Sequence, residues 1–271
     1  MPFTLSHAAA VLPLKNSRLP LAALMIGSMS PDFGYFLPFE MMSRPSTHNL
    51  EGILFFCLPV GLAVWLLFVR LLEQPTIELL PEAWRDRVPR SDSHLTLTAL
   101  GFAGLAIIVG AITHIVWDSI THANTPVTNA FPAMHAEVFR FYGHPIRTFF
   151  VLQCLSSVVG LVALAIWALR LRHSVPRTRT ADERRSYLPD RARVVAVGVL
   201  IASSAVTAAA MYVSNSDSDL GNRVFHLLIG GMTGWLIAWC AVALWVTRAS
   251  RLIDCGSRGR RAAGCRRDPL P

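Results

Sequence analysis

Five stretches of this chain are apolar for about 20 residues or more, which as helix is enough to cross a bilayer core of roughly 30 Å. They cover residues 50–72, 95–117, 146–171, 193–213 and 224–246. An ordinary soluble domain of 271 residues has no core large enough to hide five such blocks, and the composition agrees: 53% hydrophobic and 15% charged, with a mean hydropathy of +0.45. The expected fold is all-α, a polytopic membrane helical bundle. It has five or six spans, depending on whether the N-terminal segment crosses or forms a short helical hairpin.

The net charge of +8 points to membrane topology rather than to nucleic acid. Arginines cluster in residues 170–193 and 248–267, each beside the end of a span, as the positive-inside rule requires of cytoplasmic segments. Residues 172–192 are therefore expected to be a basic cytoplasmic loop, and the C-terminus to be cytoplasmic. "SNSDSDLGN", between the last two spans, is acidic and is expected outside. Because each span reverses sides, the loop carrying Arg85, Arg87, Arg90 and His94 is internal, and residues 118–145 are external. His48, Asp118, His122, His135 and His144 then meet at the outer face, with His114 just below it.

The same reading divides the chain into a site-bearing part at 1–171, the basic loop, a C-terminal pair of spans at 193–247 and a basic tail at 248–271. The tail has no hydrophobic period and is expected to be disordered. Of the five cysteines, three fall in spans and two in the tail, without paired spacing. No disulfide framework or thiolate zinc site is indicated.

The N-terminus admits two arrangements. "LPLAALMIGSMSPDFGYFLPF" is long enough to cross once, giving a sixth span and a cytoplasmic N-terminus beside Lys15 and Arg18. Alternatively, residues 6–14 and 19–29 form a helical hairpin that brings His7 and Asp32 to the same side. The hairpin requires Lys15 and Arg18 to escape lipid, where each basic residue costs about 2.5–3.5 kcal/mol.

"THIVWDSITH", residues 113–122, places three candidate metal ligands at the tip of an apolar helix. His114, Asp118 and His122 recur at four-residue spacing, so they share one face, each step about 6 Å along the axis. One ion cannot reach both histidines across about 12 Å. Two ions can be served if Asp118 bridges and the helix loosens near His122, and "ANTP" just beyond is a suitable place for it to end. A lone histidine at a helix end ordinarily meets water or a carbonyl. Ionisable groups at the mouth of a span are expensive, however, and are functional candidates by default. Here His48 joins the three, as do His7 and Asp32 if the hairpin forms. Such a set suits zinc or another divalent metal of borderline character.

Two other classes compete with an enzyme. A transporter calls for ionisable groups near the bilayer midplane and for related halves, and the spans show neither. A non-catalytic membrane protein, its His and Asp residues holding a structural metal or a polar cluster, remains the main alternative. His226 lacks a spaced partner, and Gly221, Gly230, Gly231 and Gly234 suit close helix packing.

"PFTLSHAAAVLPL", "LAALMIGSMSPDF", "THNLEGILFFCLPVGL", "THIVWDSITH" and "LQCLSSVVGL", taken in order, resemble the bacterial membrane proteins of domain-of-unknown-function family 4184 over most of residues 2–165. That resemblance implies a multi-pass protein of the bacterial inner membrane. The order His, Asp, His, HxxxD, His is also distantly similar to predicted membrane-bound metal-dependent hydrolases and to the zinc-dependent phospholipase C group. It implies His7, Asp32, His48, His114, Asp118 and His122 as ligands, with Asp32 or Asp118 as bridge or base, in an enzyme that cleaves phosphate esters. The pattern departs from the soluble enzymes after His122: His135 and Glu137 are two residues apart instead of four, and there is no counterpart to the N-terminal tryptophan ligand. The expected partners are membrane lipid and a lipid-linked phosphate substrate, not nucleic acid. Arg140 and Arg147, on the outer side, are candidates for binding the phosphate; their ordinary alternative is snorkelling beside a span.

Overall fold

The computed structural model describes residues 4–36, 44–88, 96–141, 143–174, 188–218 and 220–264, except the side chains of 36, 44, 45 and 249–264. His94, residues 175–187 of the basic loop and residues 265–271 of the tail lie outside that set. Among the described residues, five helices have the length and apolar composition to span a bilayer: α2 (Leu50–Leu79), α3 (Leu97–Thr121), α4 (Thr148–Arg172), α5 (Asp190–Ser214) and α6 (Leu220–Gly264). A short α1 (Leu21–Met29) precedes them. The chain is a multi-pass, all-α membrane bundle, with every predicted span present and shifted by a few residues at its ends.

The chain forms two compact units, Met1–Phe68 with Pro89–Ser174, and Val69–Val88 with Val175–Pro271. In the second unit, α5 and α6 pack through small residues. Ser203, Ser204 and Thr207 donate to the carbonyls of Gly234, Gly231 and Gly230 at 3.0, 2.8 and 2.7 Å. This close approach is how spanning helices associate when lipid removes the hydrophobic drive between them. Residues 69–88 join this unit although α2 begins in the other, a grouping that chain order did not reveal. α6 is helical to Gly264.

The first unit carries the candidate ligands. Its N-terminus takes the hairpin arrangement: a 3₁₀ helix Thr4–Leu14, an exposed turn containing Lys15 and Arg18, α1, and a second 3₁₀ segment Ser30–Phe36. With nine residues, α1 is only about 14 Å long and does not cross. It lies directly on the backbone of α3. A Cβ at Gly110 would fall 2.5 Å from the Ser28 nitrogen and 2.8 Å from the Gly27 carbonyl carbon. Leu24 abuts Gly110 and the Ser28 carbonyl meets His114, so the two helices run parallel. The Lys15 and Arg18 turn therefore lies on the side toward the start of α3, away from the cluster, with both side chains exposed.

Two π-helical turns interrupt α2 at Ile53–Cys57 and Phe68–Leu72. Pro59 and Pro75 follow them, and a missing N–H shifts the local ladder toward wider turns. Between α3 and α4, β1 (Glu137–Phe141) and β2 (His144–Arg147) form an antiparallel hairpin, closed at Gly143 with φ +80°. The two strands have no counterpart in the sequence reading, which treats residues 118–145 only as an external segment.

Candidate metal centre

Each ligand is delivered by a local device written in the sequence. Asn49 caps α2, its side chain accepting from the Gly52 nitrogen at 2.7 Å, so His48 sits immediately before the helix start. The Cys57 thiol, turned by the first π segment, reaches the Thr47 carbonyl at 3.8 Å and tethers this stretch. At the other helix, α3 ends at Thr121 and His122 is already extended (φ −116°, ψ 149°). Asn124 follows in the left-handed region at φ 60°. Thr125 and Thr128 then build a capping box, and the Thr128 hydroxyl holds the His122 carbonyl at 2.9 Å. The loosening at His122 that a shared site required is thus present.

All six residues expected as ligands converge in the first unit. His7 and His114 are fully buried, Asp32, Asp118 and His122 nearly so. Asp32 Oδ1 lies 3.6 Å from His48 Nε2 and 3.7 Å from His114 Nε2; Asp118 Oδ2 lies 3.5 Å from each of the same two nitrogens. The other Asp118 oxygen, Oδ1, faces His7 Nε2 at 3.5 Å and His122 Nδ1 at 3.3 Å. His7 stacks on His114 with ring centroids 3.9 Å apart.

Those distances fit a metal better than they fit direct contacts. A hydrogen bond between nitrogen and oxygen spans about 2.7–3.2 Å, whereas two donors each about 2.1 Å from one tetrahedral ion lie roughly 3.4 Å apart. The observed separations cluster at the second value. Both ring nitrogens of His7 and Nε2 of His114 are buried without a hydrogen-bond partner, which in a dry interior costs about 1–3 kcal/mol each unless something binds them. Two overlapping groups of donors are close enough to hold an ion: His7, His114 and Asp118, and Asp32, His48 and His114. His114 has only one free nitrogen, so it serves one ion; Asp118, with two oxygens facing different histidines, is the group that can serve two.

Three of the residues are held by the atom that faces away from the centre. His114 Nδ1 donates to the Ser28 carbonyl at 2.8 Å, His48 Nδ1 pairs with the Thr47 hydroxyl at 2.9 Å, and the Thr4 hydroxyl donates to Asp32 Oδ2 at 2.8 Å. Metal-binding histidines typically fix their tautomer in this way. His122 is a different case. Gln153, buried on α4, meets its Nε2 at 3.0 Å. With the amide donating, the His122 proton sits on Nδ1 and points at Asp118, so His122 buttresses the carboxylate; with the amide reversed, Nδ1 becomes a ligand. In both cases Gln153 sets the outcome. Gln153→Leu is expected to weaken metal affinity about 10–100-fold, read by titration against a chromogenic chelator.

The Thr4, Thr47 and Gln153 side chains and the Ser28 carbonyl are not foreseen by the sequence reading, because none of them shares a periodic pattern with the residue it holds. Arg140 lies outside the cluster, exposed on β1 and ion-paired to Glu137 at 2.9 Å. Arg147 is exposed at the end of β2. His135 packs edge-on against Phe149, His144 is exposed, and His226 lies in the second unit and in neither donor group.

Fold and site together define a multi-pass membrane protein with a buried histidine and aspartate cluster able to hold a metal ion. The family model described as "Domain of unknown function (DUF4184)" matches residues 1–244. The chain belongs to that family. No curated protein and no solved structure matches it.

Proposed function

We propose that the chain is a membrane-embedded, metal-dependent hydrolase of phosphate esters, acting on lipid or lipid-linked phosphates at the outer face of the bacterial inner membrane. The observation that carries this reading is the donor set: imidazole and carboxylate without thiolate, in two groups that share His114, with Asp118 facing histidines of both. Structural zinc sites are mostly thiolate-rich, whereas catalytic ones combine histidine with carboxylate. When bound, zinc or a similar divalent metal supplies a nucleophile at neutral pH and polarises a phosphoryl oxygen. The chain's own groups do the rest. Asp118 presents one oxygen to His48 and His114 and the other to His7 and His122. Asp32, fixed by Thr4, closes the first of these groups. The His48 side chain, 12% exposed, is the most open of the set and marks the side from which substrate would approach.

The near-complete burial of His7 and His114 favours a second reading, in which a metal only clamps the N-terminal hairpin, α2 and α3 together. Turnover separates the two. With zinc or manganese present, purified protein should release phosphate-ester product from phospholipid vesicles. His114→Ala and Asp118→Asn should each lower the rate roughly 10²-fold or more, as removal of a transition-state contact does. Metal retention with no product from any of the three proteins would leave the structural role and remove the enzymatic one.

A further inference from the structure

The hairpin and the first turn of α4 enclose a groove lined by Pro145, Ile146, Arg147, Phe149 and Phe150. Arg147 is its one charged residue, and the nearby Arg140 is already paired with Glu137. Below the groove, Phe150, Cys154, Val158 and Leu161 recur at spacings of three and four residues along α4, so they share one face. All four are exposed. On a spanning helix such a face meets acyl chains. α4 begins at Thr148, directly after Arg147, which places the guanidinium at the level where the span enters the headgroup region. Phe131, Val138 and Phe139, each more than half exposed, continue the apolar surface onto the hairpin. A two-stranded hairpin with both faces open is marginal in water.

We propose that this groove binds one phospholipid of the surrounding bilayer, with Arg147 gripping the phosphate of an anionic headgroup and the Phe149, Phe150 and α4 stripe receiving an acyl chain. The planar guanidinium suits a phosphate oxygen pair better than an ammonium does. This goes beyond the hydrolase reading, because the groove holds lipid whether or not the metal centre turns any over.

Native mass spectrometry of the detergent-purified full chain, titrated with phosphatidylglycerol or phosphatidylcholine, tests it. Wild type should retain phosphatidylglycerol in preference. Arg147→Gln should bind it roughly tenfold more weakly, the loss of a charge-assisted hydrogen bond, Arg147→Lys should lie between, and Arg140→Gln should match wild type. Equal retention by wild type and Arg147→Gln, or displacement of the lipid by free glycerol phosphate at the same concentration, would overturn the assignment. Independently, Phe139→Trp in liposomes should be quenched by brominated lipid. A tryptophan shielded instead by self-association of the chain counts against lipid as the occupant. Asp118→Ala should leave all of these readouts unchanged, so failure of the metal site and failure of the lipid site are distinguishable.

Discussion

Protein carrying Asp118→Ala should emerge from purification with divalent metal at background level, while wild type retains it. Both oxygens of this carboxylate face imidazoles, Oδ2 toward His48 and His114, Oδ1 toward His7 and His122. His114 also lies in both donor groups, but its one inward nitrogen can serve a single ion, whereas the two oxygens of Asp118 face different histidines. Removal of Asp118 leaves the buried histidines facing one another with only Asp32 as an anion, and a cation there would lack both neutralisation and a shared ligand. The consequence extends to stability. A ligand present at 100 times its Kd adds about 2.7 kcal/mol to the folded state, so stripping metal with a chelator should lower the thermal midpoint of wild type and leave that of Asp118→Ala unchanged. Elemental analysis and a melting curve read both effects. Full metal occupancy in Asp118→Ala would show that this carboxylate is not the shared ligand, and background metal in wild type would leave the clustering to hydrogen bonding.

Gly110→Leu is the second change expected to have a large effect. The atoms a Cβ would meet at this position belong to the backbone of α1, which cannot swing aside as a side-chain tip can. Overpacking of this kind costs about 1–3 kcal/mol or more, and the only relief is to move the hairpin off α3. Because His7 and Asp32 ride on that hairpin, metal should be lost together with stability. Gly101→Leu is the control. It lies on the same helix with nothing within 4 Å of its added Cβ, and it should melt as wild type does and keep its metal. If Gly110→Leu retained metal at wild-type level, the close seating of α1 on α3 would not be what assembles the site.

The spans were legible because bilayer thickness imposes a length on every crossing segment, and that length is visible in the chain as uninterrupted apolar residues. The HxxxD and its following histidine were legible because helix periodicity converts spacing into a shared face. The end of α3 at His122 was legible from "ANTP", whose Asn124 and Pro126 stop a helix. The N-terminus was different. A crossing helix and a re-entrant hairpin use the same apolar residues, and only the glycine contacts between α1 and α3 distinguish them. The strands of the hairpin before α4 also escaped notice, since "EVFRF" is too short to signal above the neighbouring spans.

By itself, then, the chain's order of residues determined a bundle of five or six spans and named six groups capable of binding a metal. Tertiary structure decided that His7, Asp32 and His48 reach the end of α3, that Asp118 divides its two oxygens between them, and that Gln153 governs His122. The reason is physical. Span formation follows from local transfer of apolar residues into lipid and needs no partner, whereas the cluster depends on distances between segments about 70 to 110 residues apart in the chain, which the close packing of α1 on α3 sets.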